Sequence, residues 1–164
     1  MNTKKITVFL SLAIFACAVL TAQNFKYIGA SKCKMCHNKP DKGEQYNTWA
    51  AGPHAKAMES LNDEEANDPK CLKCHSTVGH IDASLVASIK VEEGVSCESC
   101  HGPGSAYKGA SIMKNQELSL TKGLILPVEE VCVTCHNEES PDFKGFDYVE
   151  YAAKIAHPNP KAAE

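Results

Sequence analysis

Four copies of the pattern Cys-x-x-Cys-His constrain this chain of 164 residues more than any other feature of its sequence. The two thiols of each copy lie one helical turn apart, and the histidine follows the second thiol directly. This spacing lets the thiols form thioethers with the two vinyl groups of one porphyrin while the adjacent imidazole binds its iron. The pattern therefore predicts covalent attachment of haem c. The first, second, third and fourth motifs occupy residues 33–37, 71–75, 97–101 and 132–136.

Each motif predicts one haem, so the chain is expected to carry four. The predicted attachment residues are the cysteines Cys33, Cys36, Cys71, Cys74, Cys97, Cys100, Cys132 and Cys135. The predicted proximal iron ligands are the motif histidines His37, His75, His101 and His136.

Two other uses of paired cysteines fit this sequence less well. Zinc knuckles also contain Cys-x-x-Cys, but they do not require a histidine after the second cysteine, and all four motifs here have one. A disulfide framework is typical of small exported proteins. However, Cys17 is the only cysteine outside the motifs, and it lies in the predicted leader described next. The sequence therefore favours haem.

Residues 1–22 have the pattern of a secretory signal peptide. Lys4 and Lys5 precede an apolar run that is too short and wrongly flanked for a membrane span. We therefore expect a periplasmic protein with no stable membrane insertion and a single tetrahaem domain over residues 23–164. Lipid anchoring through Cys17 is less favoured, because the bulky residue two positions before it makes a poor lipobox.

The charge of the chain argues against nucleic acid as a partner. The formal net charge is −3, and it becomes −5 when Lys4 and Lys5 leave with the leader. The sequence contains no basic stripe of the kind that binds phosphates. Four pairs of adjacent glutamates are expected to be solvated, or alternatively to form a docking surface for a basic redox partner. These pairs are Glu64-Glu65, Glu92-Glu93, Glu129-Glu130 and Glu138-Glu139.

The sequence predicts a small all-α fold, with short helices and long loops packed around four covalently bound haems. The whole chain has one Trp, five Tyr and five Phe, so it can bury little apolar surface of its own. A domain of this kind needs additional stabilisation, which the four covalently bound haems would provide. An amphipathic pattern predicts a short helix over residues 82–90. Asp147 is expected to cap a last helix over residues 148–156, just before His157. Further helices are expected over residues 41–51 and 105–115, and from Pro53 and Pro127.

Three histidines lie outside the motifs, namely His54, His80 and His157. In so small a four-haem chain nearly every residue lies near a porphyrin, which favours distal axial ligation for such histidines. We expect His54 and His157 to be distal ligands, and His80 is a further candidate. Three histidines leave at least one of four irons without a distal histidine, so that iron is open or binds a methionine.

Residues 54–61 (HAKAMESL) and 94–104 (GVSCESCHGPG) resemble the tetrahaem cytochrome c-554 family, as does the end of the chain from the fourth motif to His157. The resemblance extends over about residues 26–160 and implies a mainly helical fold with closely stacked haem pairs. It also implies that His54 binds the third haem opposite His101, and that His157 binds the fourth haem opposite His136.

The resemblance also implies that the haem of the second motif, whose proximal ligand is His75, has no distal ligand. The first haem of the family takes a histidine from the segment after the third motif, but residues 102–115 here contain Met113 and no histidine. The iron on His37 therefore has two candidate partners, Met113 by segment and His80 by residue type. If Met113 serves the first haem, His80 is expected near the open second haem as a proton donor.

The function implied by the resemblance is electron transfer between redox partner proteins by an exported cytochrome. A five-coordinate haem would also permit an alternative, an enzyme that reduces a small nitrogen species such as nitric oxide or hydroxylamine. A third possibility is a redox subunit of a larger multihaem complex. The identity of the donor and the acceptor does not follow from these residues.

Overall fold

The computed structural model describes residues 24–157 and 159–160, so the predicted leader and Cys17 lie outside the described residues. In the described part of the chain, the regular structure is helical apart from one isolated parallel bridge between Tyr27 and Val86. Long irregular segments separate the helices. The predicted all-α class is thereby confirmed.

The helices are short throughout the described residues. The α-helices are α1 (Ala30–His37), α2 (Gln45–Ala51), α3 (Pro69–His75), α4 (Cys97–His101), α5 (Ala110–Met113), α6 (Gln116–Thr121), α7 (Glu129–Cys132) and α8 (Tyr148–Ile155). Tighter 3-10 helices lie at Pro40–Lys42, His54–Ser60, Glu65–Asn67, Thr77–His80, Ala83–Leu85 and Val91–Glu93.

All four Cys-x-x-Cys-His motifs include helical residues. α1 and α3 end at the histidines of the first and second motifs, and α4 spans the third motif. α7 ends at Cys132, so the fourth motif begins in a helix and continues in the turn that follows. A helical turn brings the two thiols of a motif to the same side of the helix, as thioether attachment to one porphyrin requires.

In the buried part of the described chain, polar or charged side chains outnumber apolar ones. The buried apolar residues are Ile28, Ala30, Ile89 and Tyr107, and the buried polar or charged residues are Ser76, Thr77, Ser96, Glu98 and Ser119. A buried polar group needs a hydrogen-bond partner, and the side chains of Ser76, Thr77 and Glu98 find theirs in other segments of the chain. The hydroxyl of Ser96, in contrast, has no partner among the described residues. The chain itself therefore provides only a small apolar core.

The helix predicted over residues 82–90 is wrong, because only Ala83–Leu85 forms a short 3-10 helix there. The backbone beyond it is instead paired with the segment before α1. The amide of Tyr27 donates to the carbonyl of Leu85 at 2.9 Å, and the amide of Ala87 donates to the carbonyl of Tyr27 at 2.9 Å. Hydrogen bonds to a distant segment thus replace the i to i−4 bonds that the amphipathic pattern suggested.

The last helix agrees with the prediction to within one residue. Asp147 precedes α8, and its side chain accepts a hydrogen bond from the amide of Glu150 at 2.8 Å. This bond satisfies one of the amides that have no partner inside a helix.

Other predicted helices are shorter than expected. Gly43 has a left-handed backbone conformation (φ 93°) that separates Pro40–Lys42 from α2. The helix expected from Pro53 is a 3-10 helix, and the one expected over residues 105–115 is confined to α5. In the described residues, no helix is both long and apolar enough to cross a bilayer.

Candidate haem-binding site

Contacts between the motifs place them in the order first, third, fourth, second. α1 packs against α4, and α4 packs against α7. The thiol of Cys33 lies beside that of Cys97, and the thiol of Cys74 lies beside that of Cys135. Cys100 of the third motif lies near the two thiols of the fourth motif. The four predicted attachment sites therefore form one continuous row.

Most of the motif thiols lie in surroundings that disfavour the thiolate. Burial raises the pKa of Cys100 to about 11, and it also raises the pKa of Cys74. The neighbouring Cys33 thiol, together with burial, raises the pKa of Cys97, and the Cys97 thiol lowers the pKa of Cys33. Because burial penalises the charged form, Cys74, Cys97 and Cys100 are protonated at neutral pH.

A hydrogen bond at Nδ1 orients the rings of three motif histidines. The acceptors are the side-chain oxygen of Gln45 for His37 at 3.3 Å, the carbonyl of Ala57 for His75 at 2.8 Å, and the carbonyl of Ile125 for His101 at 3.3 Å. A carbonyl only accepts, so Nδ1 carries the proton and the lone pair of Nε2 is available to a metal. Metal-binding histidines in proteins are commonly held in this way.

Two non-motif histidines lie beside motif histidines. The ring centres of His101 and His157 are 5.8 Å apart, and those of His54 and His136 are 6.0 Å apart. An imidazole nitrogen binds a first-row metal at about 2 Å, so two imidazoles on opposite sides of one ion have ring centres about 6 Å apart. Both separations therefore match the distance expected for an iron held between two histidines.

The partners in these pairs are the reverse of those that the resemblance implies, because His54 lies beside His136 and His157 lies beside His101. The path of the last helix explains this arrangement. Phe146, just before α8, stacks on the ring of His136 at 4.8 Å. α8 then has eight residues, about 12 Å at 1.5 Å per residue, and carries His157 away from the fourth motif.

Partial desolvation favours the neutral form of the paired imidazoles. Burial lowers the pKa of each of the four, and a neighbouring histidine lowers it further in three of them. These three are His54, His101 and His157. A metal binds the neutral form of histidine, so the same surroundings favour metal binding.

His80 and Met113 lie in different parts of the molecule. His80 borders a cavity of about 410 Å³ that is also lined by residues of the second, third and fourth motifs, namely Lys73, Ser99, Thr134 and Cys135. Its Nδ1 lies 3.3 Å from the carbonyl of Ser76. Met113 is the last residue of α5, which packs against α6. His80 therefore lies close to the second, third and fourth motifs, with which it shares this cavity.

Sequence reasoning missed the polar ties around the third motif. Thr77 lies two positions after the second motif, and its Oγ1 is hydrogen-bonded to the hydroxyl of Ser99 at 2.6 Å. The same oxygen accepts from the amide of Ser96 at 2.8 Å. Glu98, between the two cysteines of the third motif, is also buried. A Ser, Thr or Glu in a helical motif is ordinarily exposed, so the sequence contains no local signal for these roles.

One glutamate pair departs from the solvated face that was predicted. Glu93 is half-buried, and its Oε2 accepts a hydrogen bond from the amide of Ala30 at 2.6 Å. Glu139 of another pair forms an ion pair with Lys73 at 2.5 Å, which links the fourth-motif region to the second motif.

Comparisons with known proteins agree with this site. A family model described as cytochrome c554 and c-prime matches residues 32–102. A cytochrome c-554 of Nitrosomonas europaea is 30% identical over 154 residues, which cover 76% of this chain. The chain spans 63% of the length of that relative, less than two thirds. No solved structure matches the chain.

The helical fold, the contiguous Cys-x-x-Cys-His motifs and these matches define a c-type cytochrome, a class that binds haem c covalently. Within this class, the chain belongs to the cytochrome c554 family.

Proposed function

We propose that this chain is an exported tetrahaem electron carrier that transfers electrons between redox partner proteins. The observation that carries the proposal is the continuous row of motifs in the order first, third, fourth, second. A row of attachment sites in contact allows electrons to enter at one end and leave at the other. Haem c, when bound, supplies an iron that accepts and releases one electron.

The motif residues would hold these haems. Each pair of cysteines forms the thioethers, and the motif histidine binds the iron through Nε2. Nδ1 hydrogen bonds support this role for three of the four histidines. The ring contact with Phe146 orients the fourth, His136.

The ring distances support distal ligation by His54 and His157. His157 would share an iron with His101, and His54 would share one with His136, because each separation suits a single ion. The packing of Thr77–His80 against α3 supports a place for His80 beside the second haem and not as a ligand of the first. Met113, which lies in the segment that serves the first haem in the family this chain resembles, would then bind the first iron opposite His37. Two histidines favour a low potential, and replacement of one by methionine raises it.

The proposal is tested on the purified holoprotein. Mass spectrometry should show four haems, and the oxidised protein should give a low-spin signal from most of them. A high-spin ferric signal from about one haem in four, with matching carbon monoxide uptake after reduction, is expected for the second haem. Fewer than four haems, or bound zinc instead, would contradict the proposal.

Single substitutions test the ligand assignments. His54→Ala and His157→Ala should each convert one further haem to the high-spin form, because each removes one distal ligand. His80→Ala is the matched control and should add no high-spin haem. A new high-spin haem in His80→Ala, or none in the other two variants, would overturn the assignments.

The cavity beside His80 favours a second candidate function, the reduction of a small nitrogen species such as nitric oxide or hydroxylamine. His80 and Lys73 line this cavity and could donate protons there. Turnover of either compound by the reduced protein, slowed in His80→Ala, would support this function. If neither compound is turned over, electron transfer is the only function that remains supported.

A further inference from the structure

The carboxylate of Glu98 joins the third motif to the segment that leads into the first. Glu98 is 1% exposed. Its Oε1 accepts from the amide of Gly104 at 2.6 Å, and its Oε2 accepts from the amide of Gly29 at 2.7 Å. The amide of Ile28 donates to both oxygens at 3.0 Å. Three backbone donors therefore converge on one side chain, two of them from a segment about 70 positions earlier and one from six positions later.

The surrounding backbone leaves room for a carboxylate and for little else. A Cβ at Gly104 would lie 3.1 Å from Oε1 of Glu98 and 3.0 Å from Cδ1 of Ile28. Gly29 has a φ of +87°, a conformation that side chains rarely adopt. The positions that donate to Glu98 thus include two glycines, one of which approaches the carboxylate closely.

These contacts link two haem-attachment motifs directly. Ile28 and Gly29 immediately precede α1, which carries the first motif, and Gly104 follows α4, which carries the third. The Cys33 thiol also lies beside the Cys97 thiol. Glu98 therefore fixes where α1 begins relative to α4.

The contact suits an ionised glutamate, although burial raises the pKa of this carboxyl against the lowering effect of its backbone hydrogen bonds. All three partners are N–H donors, and an ionised carboxylate is an acceptor on both oxygens. A glutamine would place an amide NH₂ against at least one of the donors. An aspartate is one methylene shorter and would not reach donors on both segments.

We propose that Glu98 is a positioning residue that sets the distance and angle between the first and third haems. This inference rests on the proposed function, because it requires haems on both motifs. The role lies in the geometry of the pair, since Glu98 itself neither attaches a haem nor binds an iron. Its loss should change the interaction between the two porphyrins while leaving both attached.

The test compares holoproteins of the wild type, Glu98→Gln and Ser119→Ala. Two porphyrins in close contact give a paired positive and negative circular dichroism signal in the Soret region, and its size depends on their distance and angle. Ser119 is a matched control because it is also 1% exposed and loses a buried bond, from Oγ to the carbonyl of Ile112 at 2.9 Å, away from both motifs. Glu98→Gln should keep four haems by mass and lose much of the paired signal, and Ser119→Ala should keep that signal.

Other outcomes separate the inference from the function. An unchanged signal in Glu98→Gln with four haems, or an equal loss in Ser119→Ala, overturns the role of Glu98. Neither outcome contradicts the proposed function as an electron carrier. A wild-type protein without haem on the first or third motif overturns the proposed function itself. If Glu98→Gln yields no holoprotein, Gly104→Ala, whose Cβ crowds the carboxylate and the side chain of Ile28 but keeps Glu98, should weaken the signal. An unchanged signal in that variant also overturns the inference.

Discussion

At the scale of single residues, the hydroxyl of Tyr107 ties the end of the third motif to the core. Tyr107 is 8% exposed, and its hydroxyl donates to the carbonyls of His101 at 3.0 Å and Gly102 at 2.8 Å. Tyr107→Phe removes the donor and should destabilise the holoprotein by about 1–3 kcal/mol. Denaturant unfolding measures this loss. Tyr151→Phe, at a residue that is 41% exposed, is the control, and equal midpoints for the two variants would contradict the prediction.

Gly102 allows a close backbone approach just after the third motif. Its φ is +75°, and a Cβ there would lie 2.4 Å from the carbonyl oxygen of Gly123. Gly102→Ala should therefore lower the thermal midpoint sharply or prevent accumulation of holoprotein, since both strain and a backbone clash oppose it. Gly109→Ala is the matched control, because no atom lies within 4 Å of a Cβ at that position. A similar midpoint in both variants would refute this explanation.

Residues whose role depends on spacing within the sequence could be predicted, and residues whose role depends on distant segments could not. The motif cysteines and histidines lie within five consecutive positions, so their chemistry is readable from the sequence. Glu98 bonds to amides about 70 positions away, and that proximity exists only after folding. The ring partners of His54 and His157 likewise depend on the path of the chain, and the structure reverses the pairs that the resemblance implied.

At the scale of elements, the cap of α8 controls the position of His157. Asp147 accepts from the amide of Glu150 at 2.8 Å, and loss of such a cap costs about 1 kcal/mol. Asp147→Ala should fray α8 and weaken the hold on His157, which raises the high-spin fraction of the holoprotein on warming. EPR and visible spectra measure this fraction.

Asp147→Asn is the conservative control, because asparagine also caps helices well. It should keep the low-spin spectrum. A high-spin rise in Asp147→Asn equal to that in Asp147→Ala would show that the cap is not the cause.

Element predictions succeeded where a local signal governs the helix end. The cap at Asp147 located α8 to within one residue. The pattern over residues 82–90 failed because the backbone there bonds to Tyr27, about 60 positions earlier. In a chain of short helices, such distant backbone bonds compete with helix formation on nearly equal terms, since isolated short helices are marginal.

At the scale of the whole molecule, the described chain has too little apolar core to hold its segments together alone. Its buried apolar residues are Ile28, Ala30, Ile89 and Tyr107. They are outnumbered by buried polar or charged residues, namely Ser76, Thr77, Ser96, Glu98 and Ser119. Several large apolar side chains lie at the surface between the third and fourth motifs and within the fourth. These are Ile125, Leu126, Val128 and Val133, each 38–50% exposed. Small domains of this kind depend on added staples.

We therefore expect the chain to remain unfolded unless haem is attached. A variant with all eight motif cysteines replaced by serine should show no cooperative thermal transition and a poorly dispersed NMR spectrum, because folding would order the backbone without burying enough apolar surface. The wild-type holoprotein in the same buffer is the control and should unfold cooperatively. A variant with only Cys71 and Cys74 replaced should keep a transition at a lower midpoint, since the second motif lies at the end of the row and the ties among the first, third and fourth motifs remain. A cooperative transition and dispersed amide signals in the eight-serine variant would show that the polar ties alone specify the fold.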